Sequence, residues 1–271
     1  MKFLIIYLFL FTNLVFAEPI YHEKKYPKGN GPFPAVILLH SSGGFKSDYI
    51  MDYIGKDYLN EGFALYGPNF FERHGITSKT RKKTWTTFRE PIEKELSEIV
   101  SIVKKDPKID PKNVFAVGFS NGGYWATYLA GTKQVNAASS HYGVWTFKGG
   151  LNGYPVKYVN KDCNPLLVLH PKKDRVQKLE YVKSHISKSE KKCSAVKIHY
   201  YDEGGHAWES TKYQGGVGYN KKVWKDATKR TIDFLKSSTM LIHNHCILMS
   251  PKEFLVMFLL MMRLISRVIL D

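Results

Sequence analysis

The chain has 271 residues, is 44% hydrophobic and 14% aromatic, and carries 40 Lys and Arg against 24 Asp and Glu. That length and apolar content exclude a disordered chain and suit one α/β domain with a large buried core. The net charge of +16 favours anionic surroundings, but the basic residues are mostly Lys spread along the chain. A nucleic-acid footprint would cluster them on one face, so the charge reads as compositional bias and no nucleic-acid partner is expected.

Lys2 followed by the mostly apolar run Phe3 to Phe16, with Val15-Phe16-Ala17 as a cleavage site, has the layout of a signal peptide covering residues 1–17. The run is short for a membrane span of about 20 residues. The expected product begins at Glu18 and is exported, periplasmic or extracellular. The folded domain expected from the rest of the pattern covers residues 18–238.

Pro34 to Leu39 is a short apolar run ending in His40-Ser41-Ser42-Gly43-Gly44, the pattern of a buried strand and a tight loop. Ile50, Ile54 and Tyr58 give Ser47 to Asn60 a helical spacing, and Phe63 to Tyr66 predicts a second strand. Pro91 to Lys105 predicts a helix with Ile92, Leu96, Ile99, Val100 and Val103 on one face, Pro91 lying in its first turn. Strands are then predicted at Asn113 to Gly118, Val135 to His141, Leu166 to His170 and Ala195 to Tyr201, with helices at Asn121 to Ala130, Leu179 to Ser189 and Lys221 to Leu235. Apolar strands alternating with helices predict a mostly parallel sheet covered on both faces, with its site beyond the carboxyl ends of the strands.

Residues 239–271 break this rhythm. Phe254 to Leu270 is apolar apart from Arg263, Ser266 and Arg267, which share one side of a helix by their spacing. The pattern suits contact with a membrane surface, docking on another subunit, or an extension without a role, and the sequence does not choose among these. It is equally silent on the oligomeric state.

Gly118-Phe119-Ser120-Asn121-Gly122 matches G-x-S-x-G between a predicted strand and a predicted helix. A serine pushed out on so sharp a turn leaves no room for side chains two positions to either side, hence the glycines. The helix amino end that follows favours a developing oxyanion. A serine nucleophile needs a base, and the base needs an orienting acid. Asp174 is the only carboxylate in the loop after the strand ending at His170, and His206 follows Gly204-Gly205 after the last strand. The order Ser120, Asp174, His206 is the expected one for an α/β-hydrolase. The oxyanion donors expected are the backbone amides of Asn121 and Ser42, with Ser41 the alternative.

These motifs make the chain resemble the dienelactone hydrolase family of α/β-hydrolases. The resemblance runs from about Phe33 to Leu235 and rests on His40 to Gly44, Tyr66-Gly67-Pro68-Asn69, Gly118 to Gly123, Tyr142-Gly143, Asp174 and Gly205-His206-Ala207. It implies an α/β-hydrolase fold, with nucleophile, acid and base at Ser120, Asp174 and His206. The family's namesake enzymes carry cysteine as nucleophile where this chain has Ser120, which favours a serine esterase or acyl hydrolase over a dienelactone substrate.

Tyr142 and Trp208 are candidate walls of the substrate pocket, and Arg81 lies in a basic stretch, Glu72 to Glu90, that reads either as a substrate-facing loop or as a solvated one. Neither a zinc-type His/Cys spacing nor a phosphate-binding loop occurs, so no metal or cofactor is expected. Cys163 and Cys193 each precede a predicted strand, and successive strands joined by a helical crossover lie side by side. A Cys163–Cys193 disulfide is therefore expected, with Cys246 left free. The function expected is hydrolysis of a small-molecule acyl ester. The alternatives are a peptidase of the same fold and a non-catalytic binding protein that keeps it.

Overall fold

The computed structural model describes residues 20–147 and 150–247, with side chains up to residue 239. Residues 1–17, where a leader is expected, the apolar stretch Phe254 to Leu270 and the Cys246 side chain lie outside the described residues. Seven strands form one sheet: β1 (His22–Lys25), β2 (Phe33–Leu39), β3 (Ala64–Pro68), β4 (Ile109–Phe119), β5 (Ala137–His141), β6 (Leu166–Pro171) and β7 (Val196–Tyr201). Their order across the sheet is β1-β3-β2-β4-β5-β6-β7. Among the described residues only β1 runs antiparallel, on β3.

The central strands read as unbroken apolar runs because both of their faces are covered. Alternate residues of β2 go opposite ways: Ala35, Ile37 and Leu39 into one core, Val36 and Leu38 into the other. The first core is closed by α2 (Arg89–Lys105), α3 (Asn121–Gly131) and α4 (Leu179–Lys192), through Ile92, Leu96, Trp125, Leu129, Val182 and Ile186. The second is closed by α1 (Gly55–Asn60), by a π-helical turn before it at Asp48–Ile54, and by α5 (Lys221–Ile247). Ile50, Ile54, Tyr58, Val223, Ala227 and Leu235 are its contacts.

Three features depart from the expected elements. Strand β1, His-Glu-Lys-Lys, carries no apolar signal because it is a polar edge strand, and charged edges resist pairing with other chains. The helix expected over Ser47 to Asn60 begins with the π-helical turn. The last helix, expected over Lys221 to Leu235, continues as α5 to Ile247. Among the described residues no helix is long and apolar enough to cross a membrane.

Chain order reverses between β2 and β4. From β2 the chain steps to β3 on one side, then returns to place β4 on the other. Such a switch point opens a crevice at the carboxyl ends of the two strands. Leu39 at the end of β2 is in register with Gly118 near the end of β4, so the loop from His40 and the turn at Ser120 leave the sheet side by side. At the opposite end, Cys163 and Cys193 precede β6 and β7 and are joined as a disulfide, with Cα atoms 6.1 Å apart, inside the usual range for the bond.

Candidate active site

Ser120 sits between β4 and α3 with φ 54° and ψ −107°, a conformation rare for a residue with a side chain and typical of strained functional turns. The glycines around it are required by close approach. A Cβ on Gly118 would stand 2.0 Å from the Gly122 carbonyl oxygen, and a Cβ on Gly122 the same distance from that of Leu39. Backbone bonds hold the turn to the next strand: Ser120 N–H donates to His141 O at 3.0 Å, and Val144 N–H donates to Ser120 O at 3.1 Å.

The structure brings together the three residues expected from chain order. Ser120 Oγ lies 2.8 Å from His206 Nε2, and His206 Nδ1 lies 2.8 Å from Asp174 Oδ2. With Asp174 as acceptor, Nδ1 carries the proton and Nε2 is free to receive one from the serine. All three side chains are buried. The second carboxylate oxygen, Asp174 Oδ1, accepts the backbone amides of Val176 and Gln177, each at 2.7 Å. Burial by itself would raise the Asp174 pKa. The hydrogen bond and charge of His206, with the Gln177 amide, outweigh it and hold the carboxyl below its usual value.

Three further histidines end neighbouring strands, and none of their rings bonds to the Ser120 hydroxyl: each is engaged elsewhere. His40 stacks on Phe70 at 3.9 Å and donates from Nδ1 to Ser41 O. His170 donates from Nε2 to the Gln177 carbonyl at 2.9 Å. His141 is hydrogen-bonded to Thr231 at 2.9 Å. Burial depresses all three, His40 and His170 to about 4 and His141 to about 3, so they are neutral at pH 7. His206 reaches the serine because the loop after β7 turns back at Gly204, where φ is +74°.

A cavity of about 390 Å³ opens over Ser120 and His206 and is lined by Ser41, Ser42, Gly43, Gly44, Tyr49, Tyr142, Glu209 and Tyr213, among others. Within the loop after β2, Gly43 N–H bonds to Ser41 Oγ and Gly44 N–H to Ser41 O, so the turn engages both glycine amides and leaves that of Ser42 out. Asn121 is the first residue of α3, where helix geometry leaves the amide unsatisfied. Its side chain is turned away onto Thr84, 3.2 Å from Nδ2.

Of the three candidate pocket residues, only Tyr142 lines the cavity, its ring 4.8 Å from that of His206. Trp208 is corrected to a supporting position: it is fully buried behind Tyr142, ring centroids 4.8 Å apart. The chain turns at His206–Glu209, with Ala207 at a positive φ of 59°, and this carries the Trp208 indole into the second core. Arg81 is exposed on a short 3₁₀ turn, donates to Ser78 O at 2.6 Å, and does not itself line the cavity, although its charge acts on Tyr213, which does. A larger hollow of about 770 Å³ lies beyond Gln177, lined by Phe147, Val176 and Tyr181, and touches neither Ser120 nor His206.

Two site residues escaped the sequence reading. Gln177 is buried and ties the acid loop to the loop after β5: its Oε1 accepts Trp145 N–H at 2.9 Å and its Nε2 donates to Thr146 O at 2.9 Å. Glu209 is buried in the cavity wall. A lone polar residue in a loop normally reads as solvated, and nothing local marks either of these as buried.

The sequence profile of the dienelactone hydrolase family matches residues 23–239. The chain belongs to the dienelactone hydrolase family. A protein of Synechocystis sp. named as a carboxymethylenebutenolidase is 27% identical over 149 residues, which is 50% of this chain and 59% of that protein. Among solved structures, one named for a dienelactone hydrolase of Klebsiella pneumoniae subsp. pneumoniae superposes with a TM-score of 0.61 at 22% identity, over 80% of this chain and 99% of the other. A dienelactone hydrolase-like promiscuous phosphotriesterase from metagenomic libraries gives a TM-score of 0.63 at 16% identity, over 80% and 91%. At these identities the structural matches establish the α/β-hydrolase fold.

Proposed function

We propose that this chain hydrolyses carboxylic esters of small molecules through an acyl-enzyme formed on Ser120. The observation that carries the reading is the unbroken relay Ser120 Oγ–His206 Nε2 and His206 Nδ1–Asp174 Oδ2, each link 2.8 Å, at the floor of an open cavity. Family membership and the ester-hydrolase name of the Synechocystis relative support it.

In this mechanism Ser120 Oγ attacks the ester carbonyl while its proton passes to His206 Nε2. Asp174 keeps the ring in the required tautomer and stabilises the imidazolium. The Asn121 and Ser42 amides receive the oxyanion, where each such donor is commonly worth about 10²–10³ in rate. The alcohol leaves with the proton from His206. Water then attacks the acyl-Ser120 ester, gives its proton to the same nitrogen, and the carboxylic acid departs as Ser120 recovers its hydrogen. The positive φ at Ser120 holds Oγ at the cavity for both halves of the cycle.

The same reading places the protein outside the cytoplasm, after removal of residues 1–17. The leader pattern supports this, as does the Cys163–Cys193 disulfide, a bond that persists in oxidising compartments. The test is a series of acyl esters of graded chain length assayed with the purified protein, together with a fluorophosphonate probe. The expected outcome is turnover of short esters, labelling at Ser120, and a fall of about 10⁴-fold or more in kcat for Ser120→Ala. Near-native turnover by Ser120→Ala overturns the reading.

A further inference from the structure

Glu209 lies three residues beyond His206 on the same loop, and its side chain is all but inaccessible to solvent. A carboxylate is rarely buried unless it is paired, yet no cation bonds to it among the described residues. Its Oε1 instead accepts two phenols: Tyr142 O–H at 2.6 Å and Tyr49 O–H at 2.8 Å. Its backbone carbonyl accepts a third, Tyr53 O–H, at 3.2 Å. Oε2 has no hydrogen-bond partner among the described residues.

The two phenols come from different strand ends. Tyr142 follows β5, carries a positive φ of 37° and lies with its ring 4.8 Å from that of His206. Tyr49 stands on the π-helical turn that follows the Ser41–Gly44 loop. One carboxyl oxygen therefore joins the loop after β7, the loop after β5 and the segment leading from β2. These carry the base, the residue packed on the base, and the proposed oxyanion donor Ser42. Oriented groups are worth far more to a reaction than mobile ones, and a displacement of about 1 Å costs up to 10²-fold in rate.

We propose that Glu209 is a positioning residue for ester hydrolysis, which holds His206 through Tyr142 and the oxyanion loop through Tyr49. The role rests on the Ser120 reading above. It requires an acceptor at Oε1 and makes no demand on Oε2, so an amide in place of the carboxyl preserves both phenol bonds and breaks none.

The experiment compares Glu209→Ala, Glu209→Gln and Tyr142→Phe on the best ester found for the wild type, with folded fraction read by circular dichroism at the assay temperature. Glu209→Ala is expected to lower kcat by about 10-fold to 10²-fold while KM stays within about 3-fold. Glu209→Gln is expected to recover at least about fivefold over Glu209→Ala, and Tyr142→Phe to lose kcat by about 3-fold or more. A purely structural role would lower the folded fraction without this split between kcat and KM. Wild-type kcat in Glu209→Ala, Glu209→Gln as slow as Glu209→Ala, or a rise in KM at unchanged kcat each overturns the proposal. If Glu209→Ala does not fold, Tyr142→Phe decides: a wild-type kcat there overturns it. Ser120→Ala is assayed alongside. Turnover by Ser120→Ala defeats the triad itself, whereas inactive Ser120→Ala beside a fully active Glu209→Ala defeats only the role of Glu209.

Discussion

At the amino end of the sheet, β6 and β7 are joined by a covalent bond between Cys163 and Cys193. At the same end but the opposite edge of the sheet, beside β1 and β3, Asp106 gathers Tyr26, Tyr66 and Lys24 at 2.5, 2.7 and 3.0 Å. Burial works against the Asp106 charge, but these donors and the Lys108 amide hold its carboxyl well below the usual range. At the carboxyl end the strands finish instead in buried polar side chains: His40, His141, His170, Asp174, His206 and Glu209. Each of these is held by one to three hydrogen bonds, and several keep a polar atom with no partner among the described residues. The first arrangement resists unfolding. The second accepts the cost of desolvating polar groups in order to fix them at the cavity. Substitutions at the two ends should therefore separate stability from rate.

The largest separation is expected at the acid. Asp174→Asn keeps an acceptor for the Val176 and Gln177 amides but no longer enforces the His206 tautomer. The expected outcome is a fall of about 10³–10⁴-fold in kcat with only a small change in melting temperature. A kcat within tenfold of wild type would move the acid role away from Asp174, and the contrast between the two ends would lose its main support.

The converse is expected at the disulfide. Cys163 and Cys193 are 30 residues apart, and restricting the unfolded chain over such a loop is worth about 3–4 kcal/mol. The Cys163→Ser/Cys193→Ser double variant should lose roughly that stability in denaturant titration and keep its kcat below the melting range. An equal loss of kcat in fully folded protein would show that the two ends are coupled.

Acid sharpens the comparison from the other side. In the folded protein His40 and His170 titrate near 4 and His141 near 3, all because of burial. Unfolded, they bind protons below about 6.5. The unfolded state thus takes up more protons as pH falls, so stability is complete above about 6.5 and is lost down to about 4 and 3. Each ring contributes on the order of 3 kcal/mol to that loss. Urea midpoints measured from pH 7 to pH 4 should fall steadily, and a flat profile would contradict the buried neutral state of these rings.

The smallest effect is expected at Arg81, which is exposed and does not itself line the cavity. Arg81→Ala should change kcat/KM on a neutral ester by less than about 3-fold. A larger loss confined to anionic esters would return this residue to the site.

Much of the molecule was legible in one dimension because its information is local. The apolar runs Ala35 to Leu39, Val114 to Val117 and Leu166 to Leu169 must be strands buried on two faces, and Gly118-Phe119-Ser120-Asn121-Gly122 leaves few alternatives to a sharp strand–helix turn. Asp174 and His206 could be picked out because the order of strand ends is also an order in sequence, and the cysteine pair because both residues precede neighbouring strands. β1 was not legible, since a polar edge strand has no period-two apolar pattern to detect. Neither was the fate of Trp208, Arg81, Gln177 and Glu209. Whether an aromatic two residues past the base faces a cavity or a core, and whether an acid in a loop is solvated or buried between two tyrosines from distant segments, depends on partners 32 to 160 residues away. Such contacts exist only once the sheet has assembled, so tertiary packing decided them.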